Sequence, residues 1–313
     1  MYGYDNYQKV KSEIEKRRLN AIAEADRRNL EMRALSEDVR IIDAELVKTG
    51  LNLFKAACDG ADITPIRERN LQLNKARGEL LVSLGYPKDY TEVHYFCKKC
   101  SDSGFVDTSM CSCFREMLIK ENIKSSGIGN LIEKQSFENF SLSRYQPEAR
   151  EHMEKNLNAA RSFVDKFPTN ETKNLLLIGP TGTGKTHLST AIAKAIIEKG
   201  AEVLYDSAQN IVSAFEKDKF KSGYGQYDPE GTKYLECDLL ILDDLGTEFI
   251  SQFTVSCLYN LLNTRINKGL STVISTNLSP VELSEKYEDR IYSRIVGSDT
   301  RILFFEGNDQ RLG

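Results

Sequence analysis

Apolar and polar positions change rhythm twice along this chain. Residues 1 to about 57 are charge-rich and lack proline, and Met32, Leu35, Val39, Ile42 and Leu46 step by 3, 4, 3 and 4. That spacing places the five on one face of a long helix and predicts a seam against another helix. The helix should break at Cys58-Asp59-Gly60, where Thr64-Pro65 reads as an N-cap followed by proline at the first helical position. Ile66, Leu73 and Leu80 then recur every seven residues along a second helix ending near Gly85-Tyr86-Pro87. A helical hairpin follows, and its seam has two readings. It is either plain structure or a docking arm for another protein, since a hairpin with so little core favours a partner or self-association.

From about Lys134 the pattern alternates between short apolar runs and helical stretches. Strands are predicted at 175–179, 203–207, 239–244, 272–277 and 300–305. Alternation of this kind implies an α/β fold, a parallel sheet with helices on both faces. The expected division is a helical partner-binding arm over 1–90, a cysteine-bearing module over 91–130 and the α/β domain over 131–313.

The first of these strands, Leu175-Leu176-Leu177-Ile178, feeds Gly179-Pro180-Thr181-Gly182-Thr183-Gly184-Lys185-Thr186. This is the G-x-x-x-x-G-K-[ST] phosphate-binding loop between a strand and a helix, here His187 to Glu198. Glycines let backbone N–H groups close around phosphate oxygens, Lys185 brings a charge to the β- and γ-phosphates, and the Thr186 hydroxyl suits Mg²⁺. A nucleoside triphosphate ligand is implied.

The run Leu239-Leu240-Ile241-Leu242-Asp243-Asp244 is apolar enough for a central strand and ends in two carboxylates. They fall at the strand edge where open α/β sheets bind ligands. Asp243 is then placed to hold Mg²⁺ through water and Asp244 to orient or deprotonate an attacking water, with help from Glu248 an open alternative. After Thr272-Val273-Ile274-Ser275-Thr276, Asn277 is a candidate sensor of the γ-phosphate or the water; the plainer reading is a turn former.

Seven cysteines, an odd number with most in one tight cluster, point to a reducing cytosol and metal binding rather than disulfides. Cys97-Lys98-Lys99-Cys100 and Cys111-Ser112-Cys113 supply four thiolates, enough for a tetrahedral zinc site, with Gly104 allowing a tight turn between them. A redox pair is the rival, though its usual βαβ setting is missing. His94 is a minor alternative ligand, and Cys58, Cys237 and Cys257 read as packed small hydrophobes.

Charge narrows the partners. The net charge is −4 and the pI about 5.7, so no global basic field exists and any nucleic-acid contact must be local. Lys217 to Tyr227 is one basic, aromatic candidate for such a contact, and equally a solvated loop. No apolar stretch approaches a membrane span and no signal pattern opens the chain, so a cytoplasmic location is expected.

The ordered set of phosphate loop, Leu-Leu-Ile-Leu-Asp-Asp-Leu-Gly, Ser-Thr-Asn and Asp289-Arg290-Ile291-Tyr292-Ser293-Arg294 resembles the AAA+ ATPases. More narrowly it resembles bacterial replicative helicase loaders of the DnaC/DnaI type and their IstB-type transposition-helper relatives, over about residues 134–313. The resemblance implies a P-loop three-layer sheet without the full C-terminal helical lid, since 36 residues follow Asn277. It implies Mg-dependent ATP hydrolysis, slow because Asp244 stands where Glu is usual. It implies an arginine finger at Arg294 acting on a neighbouring subunit, and a nucleotide contact in cis from Arg311. Phe137-Glu138-Asn139-Phe140 resembles the approach to the adenine pocket. The implied partners are a hexameric ring helicase, single-stranded DNA and further copies of the chain. An ATPase acting on duplex DNA in transposition, and a nucleotide-gated scaffold with little turnover, remain alternatives.

Overall fold

A computed structural model of the chain describes residues 4–221, 230–307 and 309, with the side chains of 220 and 221 excepted. The chain forms two compact units, one of residues 11–114 and the other of residues 1–10 with 115–313.

In the 11–114 unit, α1 (Tyr4–Leu35), which starts in the other unit, is followed by α2 (Glu37–Cys58), α3 (Thr64–Ser83) and a small hairpin of β1 (Phe105–Val106) and β2 (Ser109–Met110). The predicted seam is split between two helices. Ser36, with extended φ/ψ, ends the first, and its hydroxyl caps the second by accepting from the Val39 N–H at 3.4 Å. Met32 and Val39 pack with Leu81, whereas Leu35 is exposed at the break. The heptad contact is supplemented by a polar one. Asp43 is buried and accepts from the Nε atoms of Arg33 and Arg77 at 2.6 Å each. Burial raises its pKa, but the two guanidinium bonds outweigh that and hold the carboxyl below its ordinary range. Arg77 also donates to Asn29 Oδ1 at 2.7 Å and to the Thr91 hydroxyl, so one arginine ties three segments together.

In the other unit come α4 (Ser112–Ser125), which begins in the first, then α5 (Leu131–Lys134), α6 (Pro147–Lys166), β3 (Asn174–Ile178) and α7 (Lys185–Glu198). They are followed by β4 (Val203–Ser207), α8 (Ala208–Lys221), α9 (Thr232–Glu236), β5 (Leu239–Leu245), α10 (Gln252–Asn267), β6 (Ser271–Thr276), α11 (Pro280–Ile295) and β7 (Thr300–Phe304). The five strands β3 to β7 form one parallel sheet in the order β4-β5-β6-β3-β7.

Period-two alternation sends successive side chains to opposite faces. Leu175, Leu177, Ile241 and Val273 meet α6 and α7, while Leu176, Ile178, Leu242 and Ile274 meet α8, α10 and α11. Both faces are covered, as the continuous apolar runs require. One charge sits inside this core. Arg265 of α10 is fully buried and donates to four oxygens, among them Tyr234 O at 2.8 Å and Ser271 O at 2.6 Å, and burial lowers its pKa. Cys237 and Cys257 pack inside as expected, but Cys58 is exposed at the end of α2.

Candidate functional site

β3 delivers the phosphate loop to the strand edge of the sheet, and α7 starts at Lys185. Gly184 has φ +97, and a Cβ there would come within 2.5 Å of the Tyr145 hydroxyl, so both the turn and the packing exclude a side chain. Tyr145 donates to Thr183 O at 2.8 Å, and the Thr183 hydroxyl donates to Pro180 O at 2.8 Å, which fixes the loop from within. Burial pushes the Tyr145 hydroxyl up to about 12, so it remains a donor.

Lys185 Nζ donates to Gly179 O at 2.6 Å, Pro180 O at 2.7 Å and Asn277 Oδ1 at 2.6 Å. Asn277 lies just past β6, so the loop and the predicted sensor meet at one point. They line a cleft of about 400 Å³ together with Thr186, Asp244, Gln135 and His187.

The two acids take different places. Asp243 is buried, and its carboxylate oxygens accept from the hydroxyls of Ser275 and Tyr205. Burial and the Asp243 charge raise the Tyr205 pKa, keeping the phenol protonated as a donor. Asp244 lines the cleft, and its backbone has φ +54 at an irregularity between β5 and β6. Such a bulge re-aims a side chain at the cost of a strained residue. The Asp244 N–H donates to Ser275 Oγ at 2.9 Å, so one serine orders both acids. Glu248, read as an alternative helper, is committed elsewhere. It is buried, accepts from the Gly246 N–H at 2.9 Å and from the Tyr287 hydroxyl, and so ties the loop after β5 to α11.

At the rim, His187 Nε2 donates to Ser136 O at 3.0 Å and Asn139 Oδ1 at 2.9 Å. Burial pushes the imidazole pKa down. Asn139 and Phe140 both contact His187, one of the cleft residues, Phe140 edge-on at 5.2 Å. Gln135, Arg144, Tyr145, His187, Tyr205 and Ser275 were not singled out from sequence. Only the alternation of a polar Ser275 in a buried strand offered a signal.

Arg294 is not among the cleft residues. It lies on α11, which breaks at Glu288 (φ 57, ψ 159), and its guanidinium rests 4.3 Å from the Tyr259 ring centroid. It donates to the Tyr259 hydroxyl at 2.9 Å and to Asn263 Oδ1 at 3.0 Å. Arg311 lies outside the described residues, as do 222–227 of the basic aromatic segment.

In the 11–114 unit the Sγ atoms of Cys97, Cys100, Cys111 and Cys113 all lie within 4.8 Å of one another. The pairs Cys97–Cys111 and Cys100–Cys113 stand 3.8 and 3.6 Å apart. Four thiolates around a tetrahedral zinc at ~2.3 Å would be spaced by about 3.8 Å, so the donor set fits that ion. The backbone N–H of Cys100 lowers the Cys97 thiol to about 7, while burial raises Cys100 and Cys113. Buried Asp102 pins the first knuckle by accepting from the N–H groups of Phe96 at 2.8 Å and Cys97 at 2.9 Å. Gly104, at φ +81, lets the Phe114 ring close against the turn. His94 is no part of the cluster; its ring contacts Asp89 O at 3.1 Å.

The phosphate loop and strands β3 to β6 lie within a region that resembles known proteins. The family model described as IstB-like ATP binding protein matches residues 120–296, more than half of the chain. The chain belongs to that ATP-binding family. This IstB-like chain is 27% identical over 191 residues to the replicative helicase loader DnaC of Escherichia coli (strain K12), covering 61% of the chain and 75% of DnaC. It is 31% identical over 123 residues to the chromosomal replication initiator protein DnaA of Campylobacter jejuni, covering 38% of the chain and 26% of DnaA. A crystal structure of the DnaC helicase loader superimposes with a TM-score of 0.46 at 27% identity, covering 54% of this chain and 98% of that one. The five-stranded parallel sheet with its phosphate loop is the AAA+ P-loop sheet that the sequence led us to expect. Among the described residues no helix is long and apolar enough to cross a membrane.

Proposed function

We propose that the chain is an ATP-dependent loader that binds a replicative ring helicase and delivers it to single-stranded DNA. The observation that carries this reading is the convergence of Lys185, Asn277 and Asp244 on one cleft, in a chain similar to a replicative helicase loader. In this reading the N–H groups of residues 179–186 and the Lys185 ammonium hold the triphosphate. Thr186 and Asp243 hold the magnesium, which neutralises phosphate charge when bound. Asp244 orients and deprotonates the attacking water, and Asn277 positions it. Arg294 reaches the site of a neighbouring copy, and Arg311 contacts nucleotide in cis. The cysteine quartet holds a structural zinc, and the helices of the first unit grip the helicase.

The family model's IstB-like description favours a second reading, a transposition helper acting on duplex DNA. Turnover of ATP measured without DNA, with single strands and with duplex separates the two. The loader reading expects stimulation by single strands, and unwinding by the ring helicase of the same genome on a protein-coated single-stranded circle that depends on this chain. Stimulation by duplex alone, with no effect on the helicase, would overturn it.

A further inference from the structure

The first knuckle of the cysteine cluster presents an aromatic ring that the fold leaves largely in water. Phe96 is 81% exposed, and burying a side chain of that size is normally favourable, so leaving it in water forfeits stabilisation. Its backbone is nevertheless fixed, because the Phe96 N–H is held by buried Asp102. The ring therefore stands on a rigid mount.

A basic group lies on one face of it. The Arg17 guanidinium lies over the ring, 5.3 Å from its centroid, and belongs to the run Lys16-Arg17-Arg18 of α1. On the other side of Phe96 in sequence, Lys98 and Lys99 are both exposed. The acids on the same stretch of helix are matched, Glu13 with Arg17 at 3.3 Å and Glu15 with Lys11 at 4.0 Å. One guanidinium on the ring and two exposed lysines next to it in sequence are a local departure in a chain of net charge −4.

We propose that this surface binds single-stranded nucleic acid, with an unpaired base stacked on the open side of Phe96 and the flanking phosphates met by Lys98, Lys99 and Arg17. Every base has a π-face, so such a platform tolerates any sequence, and cations beside it track the backbone. A duplex buries its bases in its own stack and cannot offer one to a fixed surface ring. The inference rests on the reading that the chain acts on single strands. It adds a contact in the 11–114 unit.

The chain contains no tryptophan, so Phe96→Trp introduces a single indole at the ring position. Titrating the full-length F96W protein with a dT oligonucleotide of about 16 nucleotides should quench its emission saturably, because a stacked base lies against the indole. By fluorescence anisotropy of a labelled oligonucleotide, Phe96→Ala should weaken binding by about tenfold or more. The double variant K98A/K99A should reduce the slope of log affinity against log salt by about 1.4, two phosphate contacts on a single strand. Circular dichroism, metal content and ATP turnover without DNA should stay at wild-type values in all three. A matched U oligonucleotide tells RNA from DNA, and binding of either supports the platform, whereas equal affinity for duplex overturns it. If wild type binds single strands while F96W shows no quench and the other variants bind as wild type, this site is wrong and the loader reading stands. If wild type binds no single strand with or without ATP, both fall.

Discussion

Lys185 Nζ donates a 2.6 Å hydrogen bond to Asn277 Oδ1 across 92 residues of sequence. The bond joins the phosphate loop to the end of β6, so the lysine and the asparagine singled out from sequence meet at one position. The two residues should nonetheless separate on mutation. Lys185→Ala removes the only charge in that pair and should abolish ATP binding with the fold intact, since the amine's bonds to Gly179 O, Pro180 O and Asn277 Oδ1 lie at the cleft rather than in the core. Asn277→Ala should leave nucleotide affinity near wild type and lower turnover. Calorimetric titration with circular dichroism checks both, and tight ATP binding by folded Lys185→Ala protein would refute the assignment.

The acids make a second test. Asp244 reaches the cleft from a bulge, and Asp243 is held by Ser275 and Tyr205. Asp244→Asn should keep ATP binding and reduce hydrolysis by about 10²–10⁴, the range for loss of a positioned base. Ser275→Ala releases the Asp244 N–H and one Asp243 oxygen together, so its loss of turnover should not add to that of Asp244→Asn. Steady-state kinetics of the two single variants and the double would show additivity if the serine ordered neither acid.

Most of this core was legible because its signals are local. The β3, β5 and β6 runs are apolar throughout, and the Gly-x-x-x-x-Gly-Lys-Thr spacing names its own turn. What sequence did not show depends on contacts between distant segments. Ser36 looks like one more polar residue on a helix until its hydroxyl is seen capping Val39. The split of roles between Asp243 and Asp244 comes from a bulge, which is set by the pairing of β5 with β6 rather than by the Asp-Asp dipeptide. The commitment of Glu248 to Tyr287 likewise spans 39 residues.

The cysteine quartet should carry one zinc per chain when the protein is purified without chelator. Cys97→Ser with Cys100→Ser removes two of the four donors, so metal analysis should show the zinc lost and limited proteolysis should show cleavage between residues 94 and 114. Four titratable thiols and no metal in fresh protein would contradict the assignment.

His187 gives a pH test with a defined sign. Burial lowers its folded pKa below the ordinary 6.5. The unfolded chain therefore binds a proton that the folded chain resists, so the contribution of the neutral ring is present above 6.5 and is lost as pH falls toward the folded value. His187→Gln keeps a donor for Ser136 O but does not titrate. Between about pH 7.5 and about pH 5.5 the wild-type melting temperature should fall further than that of His187→Gln. Parallel curves would show that the imidazole is not the titrating group.

Arg294 is the test of assembly. Its guanidinium lies against Tyr259 of its own chain, and it is not among the described residues that line the cleft. If it acts in trans, ATP turnover per subunit should rise with protein concentration, because the finger arrives only with a neighbour. Arg294→Ala should cut hydrolysis steeply, by up to the roughly 10³–10⁵ typical of arginine fingers, with the ratio compressed if the wild-type site is already slow. Nucleotide affinity should change far less, since the loop and Lys185 remain. Mixing Arg294→Ala with Lys185→Ala protein should restore part of the activity. An interface then pairs an intact phosphate loop from the first with an intact finger from the second. A mixture that stays inactive, with wild-type turnover flat down to a demonstrated monomer, would show that no site is shared between subunits.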